Sequence, residues 1–273
     1  MLSANADGVR DFGQVRAVSS VTRACAIIGL VSQSPEPLRI SAIAKRLGIP
    51  RNTTYELVNT LCAEKCLELG TGSTVGLGFR LFEFGSAYAQ SFDLIRESHQ
   101  AAREVVKNCN ETCHVARLEG REVVYLVKEE GNQVVRMSSV VGCRLPAHGT
   151  AVGKAMLANM PRHELIELLG RVRLEKLTAN TITDLDELIR ELDRTVARRY
   201  SADHEESTPG VRCVGAPIRD SYGHVVAALS ISVPAARMGS RRERELGKLV
   251  VETADHLSRR LGNVSRSSAA LGL

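Results

Sequence analysis

What this sequence lacks narrows what it can be. No run of about 18 apolar residues occurs in its 273, so no segment is expected to cross a bilayer. The opening MLSANADGVRDFG has neither a basic start nor an apolar stretch, so it does not read as a secretory leader. The seven cysteines (25, 62, 66, 109, 113, 143, 213) are odd in number and scattered. They read as the reduced thiols of a cytoplasmic protein rather than a disulfide framework. Aromatic residues make up only 4%, so any local concentration of them is informative. Neither an internal repeat nor a coiled-coil pattern is present.

What remains describes an ordinary soluble chain, 44% hydrophobic and 25% charged. Its length exceeds a typical single core, which suggests about two domains. The net charge of +5 suits a polyanionic partner. Residues 1–80 hold nine Lys/Arg against six Asp/Glu, so most of the excess lies at this end. A second basic cluster, Arg237, Arg241, Arg242, Arg244 and Lys248, reads as a solvated helix face.

The segment 40–65, ISAIAKRLGIPRNTTYELVNTLCAEK, reads as two short helices hinged at Leu47-Gly48-Ile49-Pro50. Ser41 is expected to cap the first, with Ile43, Ala44 and Leu47 inward. Gly48 supplies the turn and Pro50 marks the start of the second. On that second helix Thr54, Leu57, Val58 and Leu61 form a buried stripe. Arg51, Asn52, Thr53, Tyr55, Glu56 and Asn59 then point outward, a set of side chains able to reach base edges and phosphates. The pattern fits a helix-turn-helix with 51–64 as recognition helix, or a plain helical hairpin with a polar face.

The rest of the chain favours the first reading. Residues 1–17 carry no period and are expected to form a loose tail. Ser19 or Ser20 is expected to cap a helix whose stripe is Val21, Ala24, Cys25, Ile28 and Val31. After Lys65, two extended pieces, 66–69 and 74–77, flank Gly70-Thr71-Gly72-Ser73. Three helices followed by a hairpin is the layout of a winged helix-turn-helix over 18–78. A greasy helix at 79–91, with Phe79, Leu81, Phe82, Phe84 and Tyr88, is expected to link two domains and to pair with a second copy, or to be buried within one chain.

Residues 92–262 read as a second domain and 263–273 as a frayed tail. Its first helix carries Ala102, Val105, Val106 and Cys109. Strands are expected at 113–118, 122–128, 134–138, 211–218 and 224–233. Helices are expected at 150–159, 162–169, 185–200 (capped by Asp184) and 241–261. The expectation is α+β, an antiparallel sheet flanked by helices.

Several chemistries fail on spacing. Leu145–Ala155 has two glycines separated by three residues and Ala155 where a phosphate loop needs Ser or Thr. A helix start rich in small residues still offers amides to an anion, here those of Ala151 and Val152. Cys109, Cys113 and His114 lack the usual zinc spacing, and so do Cys62 and Cys66. Cys213 has no identifiable base, so catalysis is not expected, and His148 reads as structural. Ser230 and Ser232 share one face of an apolar strand, with Cys213 on its hairpin partner and Asp203 just before. They form either a concave polar site or a pair of tolerated surface serines.

Taken together, 18–261 resembles the IclR-type bacterial transcriptional regulators. LGIPRNTTYELVNTL and LGFRLFEFG resemble the family's DNA-binding half. LPAHGTAVGKAMLA and GVRCVGAPIRDSYGHVVAALSISVP resemble its effector half. The resemblance implies a GAF/PAS-like effector domain joined by a linker helix to the winged helix-turn-helix. It implies a ligand pocket at the amides of Ala151 and Val152 with Asp203, Cys213, Ser230 and Ser232. The implied partners are a small organic acid, either a keto-acid or an aromatic acid, and palindromic double-stranded operator DNA, bound by a homodimer or dimer of dimers. Repression is favoured over activation, and no cofactor or resident metal is implied. One departure stands out: residues 66–78, the wing, contain no Lys or Arg, which removes charge-assisted phosphate contacts there. The competing expectation is a metal- or redox-responsive regulator using Cys109, Cys113 and His114.

Overall fold

The structure is a computed structural model describing residues 17–91, 93–132 and 139–263, without the side chains of 88–91 and 93. The strand expected at 134–138 and nearly all of both tails therefore lie outside the described residues. The chain divides into two compact units, Met1–Ser91 and Phe92–Leu273.

The first unit runs α1 (Ser19–Ser32), β1 (Leu38–Arg39), α2 (Ile40–Leu47), α3 (Arg51–Ala63), β2 (Leu67–Leu69), β3 (Thr74–Leu77) and α4 (Arg80–Ser91). Its strands form an antiparallel sheet in the order β1-β3-β2. Ile27, Ile40, Ile43, Ile49, Val58, Leu67 and Val75 make the core. Each such burial contributes about 1.5–3 kcal/mol. The α2–α3 turn forms because Gly48 adopts φ 63°, a left-handed conformation that favours glycine, and the Ile49 amide then closes on the Ala44 carbonyl at 3.1 Å.

Four local expectations differ from the structure. Ser41 does not cap α2. Ile40 must be inside the core, so the helix begins there, and Arg39, still paired with Thr74 in the sheet, takes the cap position without a side-chain bond. Nor do Ser19 or Ser20 cap α1, whose cap position is Val18. The buried face of α1 is rotated from the expected one. Ile27 and Val31 are buried, while Val21 and Cys25 are exposed. Pro50 likewise occupies the cap position of α3, one residue before the helix.

The second unit runs α5 (Asp93–Cys109), β4 (Thr112–Glu119), β5 (Glu122–Glu129), β6 (Arg144–Pro146), α6 (Ala151–Leu157), α7 (Arg162–Leu169), α8 (Leu185–Arg198), β7 (Ser201–His204), β8 (Val211–Arg219), β9 (Val225–Pro234) and α9 (Ser240–Arg260). The six strands form one antiparallel sheet, β6-β5-β4-β9-β8-β7. Strand alternation splits its side chains between two cores. Val115, Val214, Ile218, Leu229 and Ile231 pack with α5 and α9. Ala116, Val123 and Ala228 pack with α6, α7 and α8. Asp184 caps α8 as expected, accepting from the Glu187 amide at 2.8 Å. Among the described residues no helix is long and apolar enough to cross a membrane.

Candidate DNA-reading helix and effector site

α3 buries Thr54 and Val58 completely, with Leu57 and Leu61 half-buried beside them. The period of the helix then leaves Arg51, Asn52, Tyr55, Glu56 and Asn59 exposed and Thr53 half-buried. Ser41 is exposed on α2, as are Lys45 and Arg46 in its last turn. Thr54 fixes the start of α3 by donating its hydroxyl to the Pro50 carbonyl at 3.1 Å. The far end is fixed to the next helix: Arg80 at the start of α4 pairs with the Glu64 carboxylate at 2.5 Å and donates to its carbonyl at 3.2 Å. Gly78 allows this approach, because a Cβ there would lie 2.2 Å from the Lys65 carbonyl oxygen. Beyond it Phe79, Phe82 and Phe84 are 63%, 66% and 54% exposed, an aromatic surface left to solvent rather than buried within the unit. The β2–β3 hairpin holds Glu68 and no basic residue, so its contribution at a phosphate backbone is limited to backbone amides and hydroxyls.

In the second unit, sheet pairing assembles the polar residues that the sequence could only place near one another. Asp203 pairs with Cys213 and Cys213 with Ser232, forming one row across three strands. A second row runs Ser201, Gly215, Ser230, His114 and Lys128. Residues two apart share a face, so both rows look toward α6. α6 is seated there by Ser201, whose hydroxyl donates to the Ala151 carbonyl at 2.6 Å. Gly215 is required below it: a Cβ would fall 2.9 Å from the Ser201 hydroxyl and 3.0 Å from the Ala151 carbonyl. Thr150 caps α6 by accepting from the Gly153 amide at 3.1 Å, leaving Ala151 and Val152 as the first two helical residues.

The six expected effector residues are therefore brought together. Ala151, Val152, Asp203, Ser230 and Ser232 are all at most 5% exposed, and Cys213 is half-buried. The Cys213 thiol donates to the Ser232 hydroxyl at 3.2 Å. Burial, and then the Asp203 charge, push that thiol well up, so at neutral pH it is a hydrogen-bonding group and not a nucleophile. Burial also raises Asp203 to about 6, against the opposing pull of its Ser207 hydrogen bond and of Lys154. Its carboxylate accepts from the Glu206 amide at 2.7 Å and the Ser207 hydroxyl at 2.6 Å. His148 is buried, with its Nε2 2.9 Å from the Glu175 carbonyl.

Sequence reasoning missed the effector-face position of His114, together with Tyr125 and the buried Lys154–Glu206 pair. A strand bulge between Val115 and Ala116 brings Tyr125 beside His114, with ring centres 5.0 Å apart. Lys154 is fully buried, its Nζ 2.6 Å from Glu206 Oε1. No local pattern announces a contact between residues 52 positions apart. A cavity of about 860 Å³ opens elsewhere, near Arg117, Asn159, Glu164 and Arg219. Its cations are already engaged, Arg117 by Glu119 and Arg219 by the Gly223 carbonyl and Asn159. None of the six expected effector residues lines this cavity. Cys109, Cys113 and His114 do not form one metal site, since Cys113 faces the α5/α9 core while His114 faces Ser232. Among the described residues no three His, Cys, Asp or Glu side chains converge as metal ligands would.

Two family descriptions match the chain: "IclR helix-turn-helix domain" over residues 20–69 and "Bacterial transcriptional regulator IclR C-terminal" over 86–259. The HTH-type transcriptional repressor AllR of Klebsiella pneumoniae is 34% identical over 250 residues, which cover 90% of this chain and 91% of that protein. Among solved structures, Thermotoga maritima IclR is 32% identical with a TM-score of 0.72, over 89% of this chain and 98% of that one. An IclR homologue from Microbacterium hydrocarbonoxydans, complexed with 4-hydroxybenzoate, shares the fold. It is 24% identical with a TM-score of 0.78, over 89% of this chain and 99% of that one. The matched relatives are named as regulators, not enzymes.

Proposed function

Because the chain belongs to the IclR family of bacterial transcriptional regulators, we propose that it is a cytoplasmic, effector-controlled repressor. The observation that carries the effector half is the gathering of buried Asp203, Ser230 and Ser232 and half-buried Cys213 on one sheet face beneath the first residues of α6. The first-turn amides and serine hydroxyls suit a carboxylate, and Asp203 and Cys213 suit its polar substituent. A small organic acid, a keto-acid or an aromatic acid, fits this set. The 4-hydroxybenzoate complex of the homologue supports the same class of ligand.

On this reading Arg51, Asn52, Thr53, Tyr55, Glu56 and Asn59 of α3, with Ser41 of α2, face the DNA. The exposed Phe79, Phe82 and Phe84 are covered by a second copy, giving a homodimer or dimer of dimers on a palindromic operator. No bond in the acid is made or broken. The acid acts by binding two arrangements of the protein unequally, with a coupling of about 1–3 kcal/mol.

The DNA half is tested with a duplex selected in vitro from a random pool. Arg51→Ala should weaken binding to it by roughly 5- to 150-fold, the loss of about 1–3 kcal/mol in one base or phosphate contact. Fluorescence anisotropy reads this directly. Equal affinity of variant and wild type would remove α3 from the DNA.

A further inference from the structure

His114 lies on the effector face but outside the set of residues assigned to it above. In the sheet it stands opposite Ser230 on one side and Lys128 on the other, so its ring shares their face. It is 3% exposed. Its Nδ1 is 3.4 Å from the Ser232 hydroxyl and its Nε2 is 2.7 Å from the Ser139 hydroxyl. We take the tautomer in which Nε2 carries the hydrogen, which these distances accommodate. Cys213 donates to Ser232. Ser232 is then free to donate to Nδ1, and Nε2–H donates to Ser139. The ring is neutral in this arrangement. Burial, and then the Lys128 charge, hold its pKa down to about 4, with Glu130 pulling the other way. The other titratable groups around it are Tyr125 on β5, Cys213 on β8 and Asp203 on β7. Burial keeps the first two protonated, and Asp203 sits at about 6.

We infer that His114 closes the effector site on its β4 side, competes with the bound acid for the Ser232 hydroxyl, and takes up a proton as the acid binds. The inference rests on the effector-site reading given above. An anion seated on Ser230 and Ser232 is the strongest acceptor present and draws both hydroxyl hydrogens. Nδ1 is then left as a buried acceptor facing a negative charge, with no donor. A proton from solvent converts imidazole to imidazolium. Nδ1–H now points at the anion, and Nε2–H stays on Ser139. One charge enters with the acid and one with the proton, and no covalent bond of the acid changes.

The sign follows from the two states. An anion within about 4–6 Å raises a histidine by roughly 1–3 pH units, which carries His114 from about 4 to roughly 5–7. The ring is neutral in the free protein and protonated in the complex, so affinity rises as pH falls through that window, by up to about tenfold per pH unit. Above the window the dependence disappears. Without this uptake, a bound acid would meet only the neutral face of the ring, and Asp203 alone would set the pH profile.

The test is calorimetry of the full chain across the window around pH 6, with pyruvate, 2-oxobutyrate and 4-hydroxybenzoate, in buffers of different ionisation enthalpy. The dependence of the observed heat on buffer gives the protons taken up per acid bound. His114→Asn keeps a hydrogen-bonding head but cannot ionise. Its uptake should fall, by up to one proton, to the part Asp203 contributes. Should that variant not fold, Lys128→Gln decides: removing the neighbouring cation should move the midpoint of uptake to higher pH. Equal uptake in wild type and His114→Asn, or an unmoved midpoint in Lys128→Gln, overturns the role of His114 and leaves the effector site standing. Absence of binding by every acid to the wild type overturns both.

Discussion

Replacing Glu206 with glutamine should destabilise the second unit by about 3–5 kcal/mol, the usual penalty for leaving one partner of a buried ion pair alone. Lys154 has no exposed surface, and its Nζ lies 2.6 Å from Glu206 Oε1. That oxygen also accepts from the His204 amide at 3.2 Å, while Oε2 is buried without a hydrogen-bond partner among the described residues. Glutamine keeps the shape and removes the charge, which leaves an ammonium with only the more distant Asp203 to offset it. The whole stability of a domain is about 5–15 kcal/mol, so this loss is large. Urea denaturation followed by circular dichroism measures it. The double variant Lys154→Met, Glu206→Leu should recover most of the loss, because neither charge is then buried. A loss below about 1 kcal/mol in Glu206→Gln would mean that the pair is solvated. The pair also joins two sides of the proposed effector site. Lys154 belongs to the helix that begins with Ala151 and Val152, and Glu206 follows the Asp203 strand. The glutamine variant should therefore also respond less to acid.

Removing both serine hydroxyls, Ser230→Ala with Ser232→Ala, should abolish the rise in melting temperature that an acid produces. A ligand at a hundred times its Kd stabilises by about 2.7 kcal/mol. For a unit of this size that is roughly 5–10 °C. Each hydrogen bond to a charged group contributes about 1.5–3 kcal/mol, so losing two weakens binding by roughly two to four orders of magnitude. Thermal-shift scans over 2-oxo acids and 4-hydroxybenzoate check this, with binding to the selected duplex as the control that should not change. An acid that shifts wild type and double variant equally would move the site away from β9.

Which of these features could be read before the fold was known depended on how far apart the contacting residues are. The hinge at Gly48, the stripe of α3, the bounds of α7 and the cap at Asp184 are all local, set by residues within a turn or two. The face of α1 was misread because two apolar stripes overlap on it. Val21-Ala24-Cys25-Ile28-Val31 and Ala24-Ile27-Ile28-Val31 share three positions, and only packing against the rest of the unit exposes Val21 and Cys25 and buries Ile27. Ser41 looked like a cap because hydroxyls cap helices. The need to bury Ile40 overrode it. The short strands β6 and β7 carry too few residues to show an alternation. That Ser230 and Ser232 share a face was legible from their spacing, but their burial was not, since an alternating strand does not say which face is covered. Nor was the place of His114, because it depends on pairing with a strand more than a hundred residues later.

An acid bound in the second unit is expected to change the DNA affinity of the first. The direct measurement is fluorescence anisotropy on the selected duplex, with and without a saturating amount of an acid that raises the melting temperature. The expected result is a change in Kd of roughly 5- to 150-fold, matched by an equal change in acid affinity when DNA is present. A Kd that stays the same while the acid is demonstrably bound would contradict it.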